Sequence, residues 1–167
     1  IAPRYGKTEL AVKNFIAQGL AINPSSRFIH LSYSDDLALD NSEEIKDIVK
    51  SEEYQRLFPN VKIKQGSDSK KKWYTSENGG VYATSTKGQV TGFGAGRVDD
   101  EFDPDFIPES NVFSGALIID DPIKPEDADS DTIRDRINER FDSTIKNRVN
   151  SRNTPIIIIM QRLHEQD

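Results

Sequence analysis

The sequence contains no cysteine, which excludes disulfides, thiolate catalysis and cysteine-ligated zinc and suits a reducing compartment. Histidine is almost as scarce. The only two, His30 and His164, lie far apart without metal-ligand spacing, so no structural zinc site is expected and any catalytic metal should be oxygen-bound. No apolar run approaches the ~20 residues of a membrane-spanning helix. No membrane partner is expected. Ile1 is not an initiator Met, and no signal-peptide pattern follows it.

What is present is a chain of 167 residues, 35% hydrophobic and 30% charged, enough for one globular domain with a substantial core. The net charge of −6 is unevenly spread. Residues 99–131 hold twelve acids against one lysine, a local −11 that leaves +5 on the remainder. The acidic balance therefore does not exclude nucleic acid, which requires only a local basic face.

Hydrophobic spacing predicts the elements. Leu10, Ala11, Phe15, Ile16 and Leu20 recur at helical spacing until Asn23-Pro24 stops them. RFIHLSY, residues 27–33, reads as a strand, and Ser34-Asp35-Asp36 as the cap and acidic first turn of a following helix. That helix is expected to break near Asp40 to Ser42, to continue through Ile45, Ile48 and Val49, and to end by Pro59. Residues 62–96 carry β-type runs (KWYTS, GGVYATS, GQVTGFGAGR), with Gly79-Gly80 marking a hairpin. Residues 99–111, with Pro104 and Pro108, read as an acidic excursion. GALII, residues 115–119, is an apolar strand. A helix is predicted over about 130–150 with Ile133, Ile137, Phe141 and Ile145 as its core stripe. PIIIIM, residues 155–160, reads as a central parallel strand buried on both faces. Strands alternating with helices give an α/β fold, a mainly parallel sheet with helices on both faces.

Three motifs carry chemistry. Ile1 to Thr8 reads IAPRYGKT, a phosphate loop G-x-x-x-x-G-K-[ST] without its first glycine. There Gly6 lets backbone amides turn toward phosphate oxygens, the helix N-terminus adds its positive end, Lys7 bridges the outer phosphates, and Thr8 offers a hydroxyl to Mg²⁺. Pro3, Arg4, Tyr5 and Glu9 complete the loop, and the guanidinium of Arg4 could sense a γ-phosphate. The strand GALII ends in Asp120, placed to hold the Mg²⁺ shell, and in Asp121, placed to orient or deprotonate an attacking water. PIIIIM ends in Gln161 and Arg162, two hydrogen-bonding side chains at the sheet edge where α/β ligands bind. A phosphate loop follows a strand. None precedes Ile1, so the chain is expected to be a fragment lacking an upstream portion and, from its abrupt end, a downstream one.

Together APRYGKTE, HLSYSDDLA, GALIIDDPIKP and TPIIIIMQRLHEQD, in this order over nearly the whole chain, resemble the large terminase subunit of tailed bacteriophages and prophages. The resemblance implies a P-loop NTPase of the additional-strand, conserved-glutamate type: the N-terminal ATPase domain, here residues 1–167, of a protein whose C-terminal nuclease domain is not in this chain. It implies ATP and Mg²⁺ as ligands, and hydrolysis coupled to moving double-stranded DNA into a procapsid. It also implies a small terminase subunit, a portal protein and further copies in a ring as partners, and the host bacterial cytoplasm as location. Lys7, Thr8 and Asp120 match phosphate and Mg²⁺ ligands, and Gln161-Arg162 the motif that couples hydrolysis to movement. Asp121 stands where many relatives carry Glu. Arg4 matches the loop arginine, Arg97 is a candidate for an arginine acting across a subunit interface, and Lys70, Lys71 and Lys72 are candidate DNA-phosphate contacts. The residues alone leave open a helicase-like or repair ATPase, and a nucleotide-binding assembly module without turnover.

Overall fold

β1 (Arg27–Ser32), β3 (Gly80–Ser85) and β4 (Gly115–Asp120) are almost wholly buried, and pair in parallel and in step, Arg27 opposite both Gly80 and Gly115 and Ser32 opposite both Ser85 and Asp120. The computed structural model describes residues 5–67, 69–90, 92–96 and 113–163. β2 (Lys72–Tyr74) adds antiparallel to β3 and β5 (Ile156–Ile159) parallel to β4, giving the order β2-β3-β1-β4-β5. The chain is thus α/β with a five-stranded, mainly parallel sheet. The in-step start requires glycine at 115. Its φ is +127°, and a Cβ there would stand 1.9 Å from the Arg27 carbonyl oxygen.

Alternation along the strands builds two cores. Phe28, Val81, Ala116 and Ile118 face α1 (Phe15–Ile22) and α2 (Asp35–Lys50), meeting Val12, Ile16, Leu20, Ile45 and Val49. Trp73 closes this layer, fully buried with its indole N–H on Ser42 Oγ at 3.0 Å. Each such aliphatic side chain contributes about 1.5–3 kcal/mol by burial. On the other face Ile29, Leu31, Tyr82, Leu117 and Ile119 meet Val90, Phe93, Ala95 and Ile145.

Several expectations need correction. α2 runs unbroken through Asp40 to Ser42, because Asn41 bonds His30 and Ser42 bonds Trp73; a shorter helix, α3 (Glu52–Leu57), follows it. The hairpin forms, but the left-handed residue of its turn is Asn78 (φ 62°). Residues 92–96 form no strand. They lie beneath the second face, with one parallel bridge from Ala95 to Val149. The predicted long helix is α4 (Asp131–Arg140) followed by a π-helical turn, Phe141–Ile145, and a 3-10 turn, Lys146–Arg148; of its stripe only Ile145 is buried. The second face is therefore closed by one end of this helix and by a loop.

β5 is not central. Among the described residues it is an edge strand, with Ile157 and Ile159 packed on the first core while Ile156 and Ile158 on the other face are 38% and 51% exposed. The acidic excursion over 99–111 lies outside the described residues.

Candidate functional site

The helical run that enters α1 starts at the Gly-Lys-Thr segment. Gly6 has φ +70°, a conformation that glycine adopts without strain, and its carbonyl accepts the N–H of Leu10 at 2.9 Å, opening the helix. Lys7 and Thr8 lie in the first turn, where free N–H groups and the helix dipole favour an anion. From Glu9 to Asn14 the winding is π-helical, a rare local geometry found mostly at functional sites.

Thr8 is tied to the paired aspartates. Its hydroxyl donates to Asp120 Oδ2 at 2.6 Å, across 112 residues of sequence. The other carboxylate oxygen, Asp120 Oδ1, is buried without a hydrogen-bond partner. Burial pushes the Asp120 carboxyl above its usual range, helped by the charge of Asp121, while the Thr8 hydroxyl, Lys7 and Lys13 pull it back. A buried carboxylate with one oxygen spoken for and one unpaired leaves a polar group costing about 1–3 kcal/mol unless something meets it. An oxygen-seeking cation fits that position.

Asp121, one residue beyond β4, has φ 46°, an uncommon left-handed conformation for a side chain other than glycine. Two hydrogen bonds hold it there: its N–H donates to Ile159 O at 2.8 Å, and its carbonyl accepts from Tyr33 N–H at 3.0 Å. Strained backbone fixed by its neighbours is a common feature of active sites. Here it locks the β4 exit between the ends of β1 and β5.

Gly6, Lys7, Thr8, Glu9, Lys13, Asp121 and Gln161 line one cavity of about 330 Å³. The sheet therefore brings the Gly-Lys-Thr segment, the second aspartate and the glutamine after β5 to one place, with Asp120 bonded to Thr8. A larger hollow of about 540 Å³ lies between α4 and the strand exits, bounded by Ile123, Ile137, Arg134 and Met160. None of the sequence-predicted residues lines it, so the smaller cavity, where the polar groups converge, is the candidate site.

Some predicted members are not gathered. Tyr5 is 77% exposed and lines no part of the cavity. Arg162 is exposed and does not line it either. Pro3, Arg4 and Arg97, like His164, lie outside the described residues. The three lysines do not form one open basic strip: Lys70 pairs with Glu43, Lys72 sits over the rings of Tyr74 and Phe93 at 5.5 and 5.8 Å, and Lys71 is exposed.

One cavity residue escaped the sequence reading. Lys13 bonds Glu9 at 3.1 Å and Glu44 of α2. The i, i+4 pair with Glu9 was legible; the partner on α2 was not, because nothing local brings residue 44 to residue 13. Among the described residues no group of three or more His, Asp or Glu could hold a metal unaided, and no helix is long and apolar enough to cross a membrane.

Comparison of the chain with protein-family models and with curated proteins gave no match. What the cavity can do is read from its own residues.

Proposed function

We propose that this chain is the P-loop ATPase domain of a DNA-packaging motor of the terminase large-subunit kind. The observation that carries the nucleotide reading is the 2.6 Å bond from Thr8 to Asp120, with the second oxygen of Asp120 buried and unpaired beside a helix start bearing Lys7. It is the arrangement expected of two groups that share a Mg²⁺ ion in a nucleotide site.

In this reading the amides around Gly6 to Thr8 and the Lys7 ammonium bind the outer phosphates of ATP. Thr8 and Asp120 hold the Mg²⁺, which supplies charge neutralisation on the phosphates when bound. The few protein ligands suit this ion, which usually keeps waters and substrate oxygens in its shell. Asp121 stands in the cavity wall as the group that orients a water and accepts its proton. Gln161, on the exit of β5, lies within the same cavity and is placed to respond to phosphate occupancy; Arg162 beside it carries that response outward. Arg4 and Arg97 keep their assignments as charge-stabilising arginines from the sequence.

The motor role rests on the resemblance of the motifs. It brings double-stranded DNA, gripped through phosphates without regard to sequence, and a small terminase subunit, a portal protein and a ring of further copies as partners, in the host bacterial cytoplasm. Phosphate release by the protein with MgATP, with and without double-stranded DNA, tests it. Lys7→Ala is expected to abolish turnover, and Asp121→Asn to keep nucleotide binding while slowing hydrolysis about 10²–10⁴-fold, the usual contribution of a general base. Undiminished turnover in either variant would remove the site assignment. Binding without any turnover in the wild type would make the chain a nucleotide-dependent assembly module.

A further inference from the structure

Lys13 does not have the environment of a surface ion pair. Its side chain is 13% exposed, while its partners Glu9 and Glu44 are each 56% exposed. The lysine is tucked inward and the carboxylates stand outside it, the reverse of the usual arrangement in which the long cation reaches into water. Its inner side is the cavity wall, which it shares with Lys7, Thr8, Asp121 and Gln161.

The helix geometry accounts for this placement. In an α-helix, at ~100° per residue, Lys13 would lie roughly 140° around the axis from Thr8. The π-helical turn over Glu9–Asn14 takes in more residues per turn and brings residue 13 back toward the Thr8 side. Asn14 supports that turn by donating from Nδ2 to the Glu9 carbonyl at 2.8 Å. Glu44, from the neighbouring helix, fixes the ammonium at its outer end. The positive charge of Lys13 reaches the Asp120 carboxylate, so it also reaches the space in front of it.

We propose that Lys13 is a second phosphate-side cation of this cavity, a specificity-determining residue that favours nucleoside triphosphates over nucleotides with fewer phosphates. The inference rests on the nucleotide reading of the site and extends it. Lys7 serves the phosphate from the loop and Lys13 from the first turn of the helix, with Glu9 and Glu44 neutralising it when no phosphate is bound. The charge it adds matters in proportion to the negative charge opposite it, so its removal is felt most by the triphosphate.

The test is titration calorimetry on the intact protein with MgATP, MgADP and AMP, for the wild type, Lys13→Met, Lys13→Arg and, as a reference, Lys7→Ala. The expected result is that Lys13→Met weakens MgATP about tenfold, which is about 1.4 kcal/mol, weakens MgADP by less and leaves AMP unchanged. Lys13→Arg should recover most of the loss. A thermal unfolding curve for each variant separates binding from folding. Equal weakening of all three nucleotides, or none, overturns the role of Lys13 while leaving the site intact, provided Lys7→Ala still loses MgATP. A wild type that does not bind MgATP, or a Lys7→Ala protein that binds it unchanged, overturns the nucleotide reading and the inference with it.

Discussion

Acidification from about pH 7 to about pH 4 is expected to destabilise the protein through His30. The ring lies at the centre of the sheet, on the β1 residue paired with Ala83 and Ile118, fully buried, with Nε2 3.2 Å from Asn41 Nδ2. Burial, only partly offset by the backbone of Ile118, lowers its pKa from 6.5 to about 4. The unfolded chain therefore takes up a proton near pH 6.5 that the native state refuses until about pH 4, so stability is full above the upper value and falls as the pH drops between them. At about 1.4 kcal/mol per pKa unit the loss approaches roughly 3 kcal/mol, a large share of a typical 5–15 kcal/mol. Asp35 acts elsewhere: the Ser85 N–H lowers its pKa, so its contribution is lost only as the pH falls below the ordinary 3.8. Asp120, raised by burial, works in the opposite sense and cancels in a difference measurement. Urea unfolding followed by circular dichroism across this range, for wild type and His30→Gln, gives that difference. Placing His164→Gln in both proteins removes the other histidine. His30→Gln should lose most of the pH slope between 6.5 and about 4; equal slopes in the two proteins would refute the buried, neutral histidine.

Two further outcomes test packing and strain. Gly19→Ala puts a Cβ 2.6 Å from ring atoms of both Phe28 and Phe113, in an aromatic cluster where Phe15 meets Phe113 edge to face at 5.6 Å. A loss of about 1–3 kcal/mol in thermal unfolding is expected despite alanine's advantage in helices, and a gain in stability would show that the rings are not closely packed. Asp121→Ala should be less stable than Asp121→Gly by about 1 kcal/mol, since the backbone there is left-handed; equal stabilities in urea unfolding would mean that the segment relaxes out of that conformation.

The sequence made most of the fold legible where burial is two-sided and local. GALIID announced β4 because every residue of that strand is enclosed, and alternation with Gly79-Gly80 announced the β2-β3 hairpin. PIIII looked the same as GALII but became an edge strand, because a run of isoleucines records what the side chains prefer and not how many neighbours the strand acquires. Asn41 and Ser42 looked like helix breakers because their side chains compete for backbone in isolation; in the fold those side chains are occupied by His30 and Trp73. At the site, Thr8, Asp120 and Asp121 were readable because strand ends and helix starts leave local marks. Lys13 was not, since its position depends on a π-helical turn and on a carboxylate from another helix.

β1, β3 and β4 end in step, at Ser32, Ser85 and Asp120. Their next residues, Tyr33, Thr86 and Asp121, consequently emerge at one level, linked there by Tyr33 N–H to Asp121 O at 3.0 Å and Thr86 Oγ1 to Pro122 O at 3.2 Å. The rim behaves as a mounting plate: its position is set by backbone pairing below it, while its chemistry is set by single side chains above. Exchanging those side chains changes what the protein does without requiring the sheet to be rebuilt.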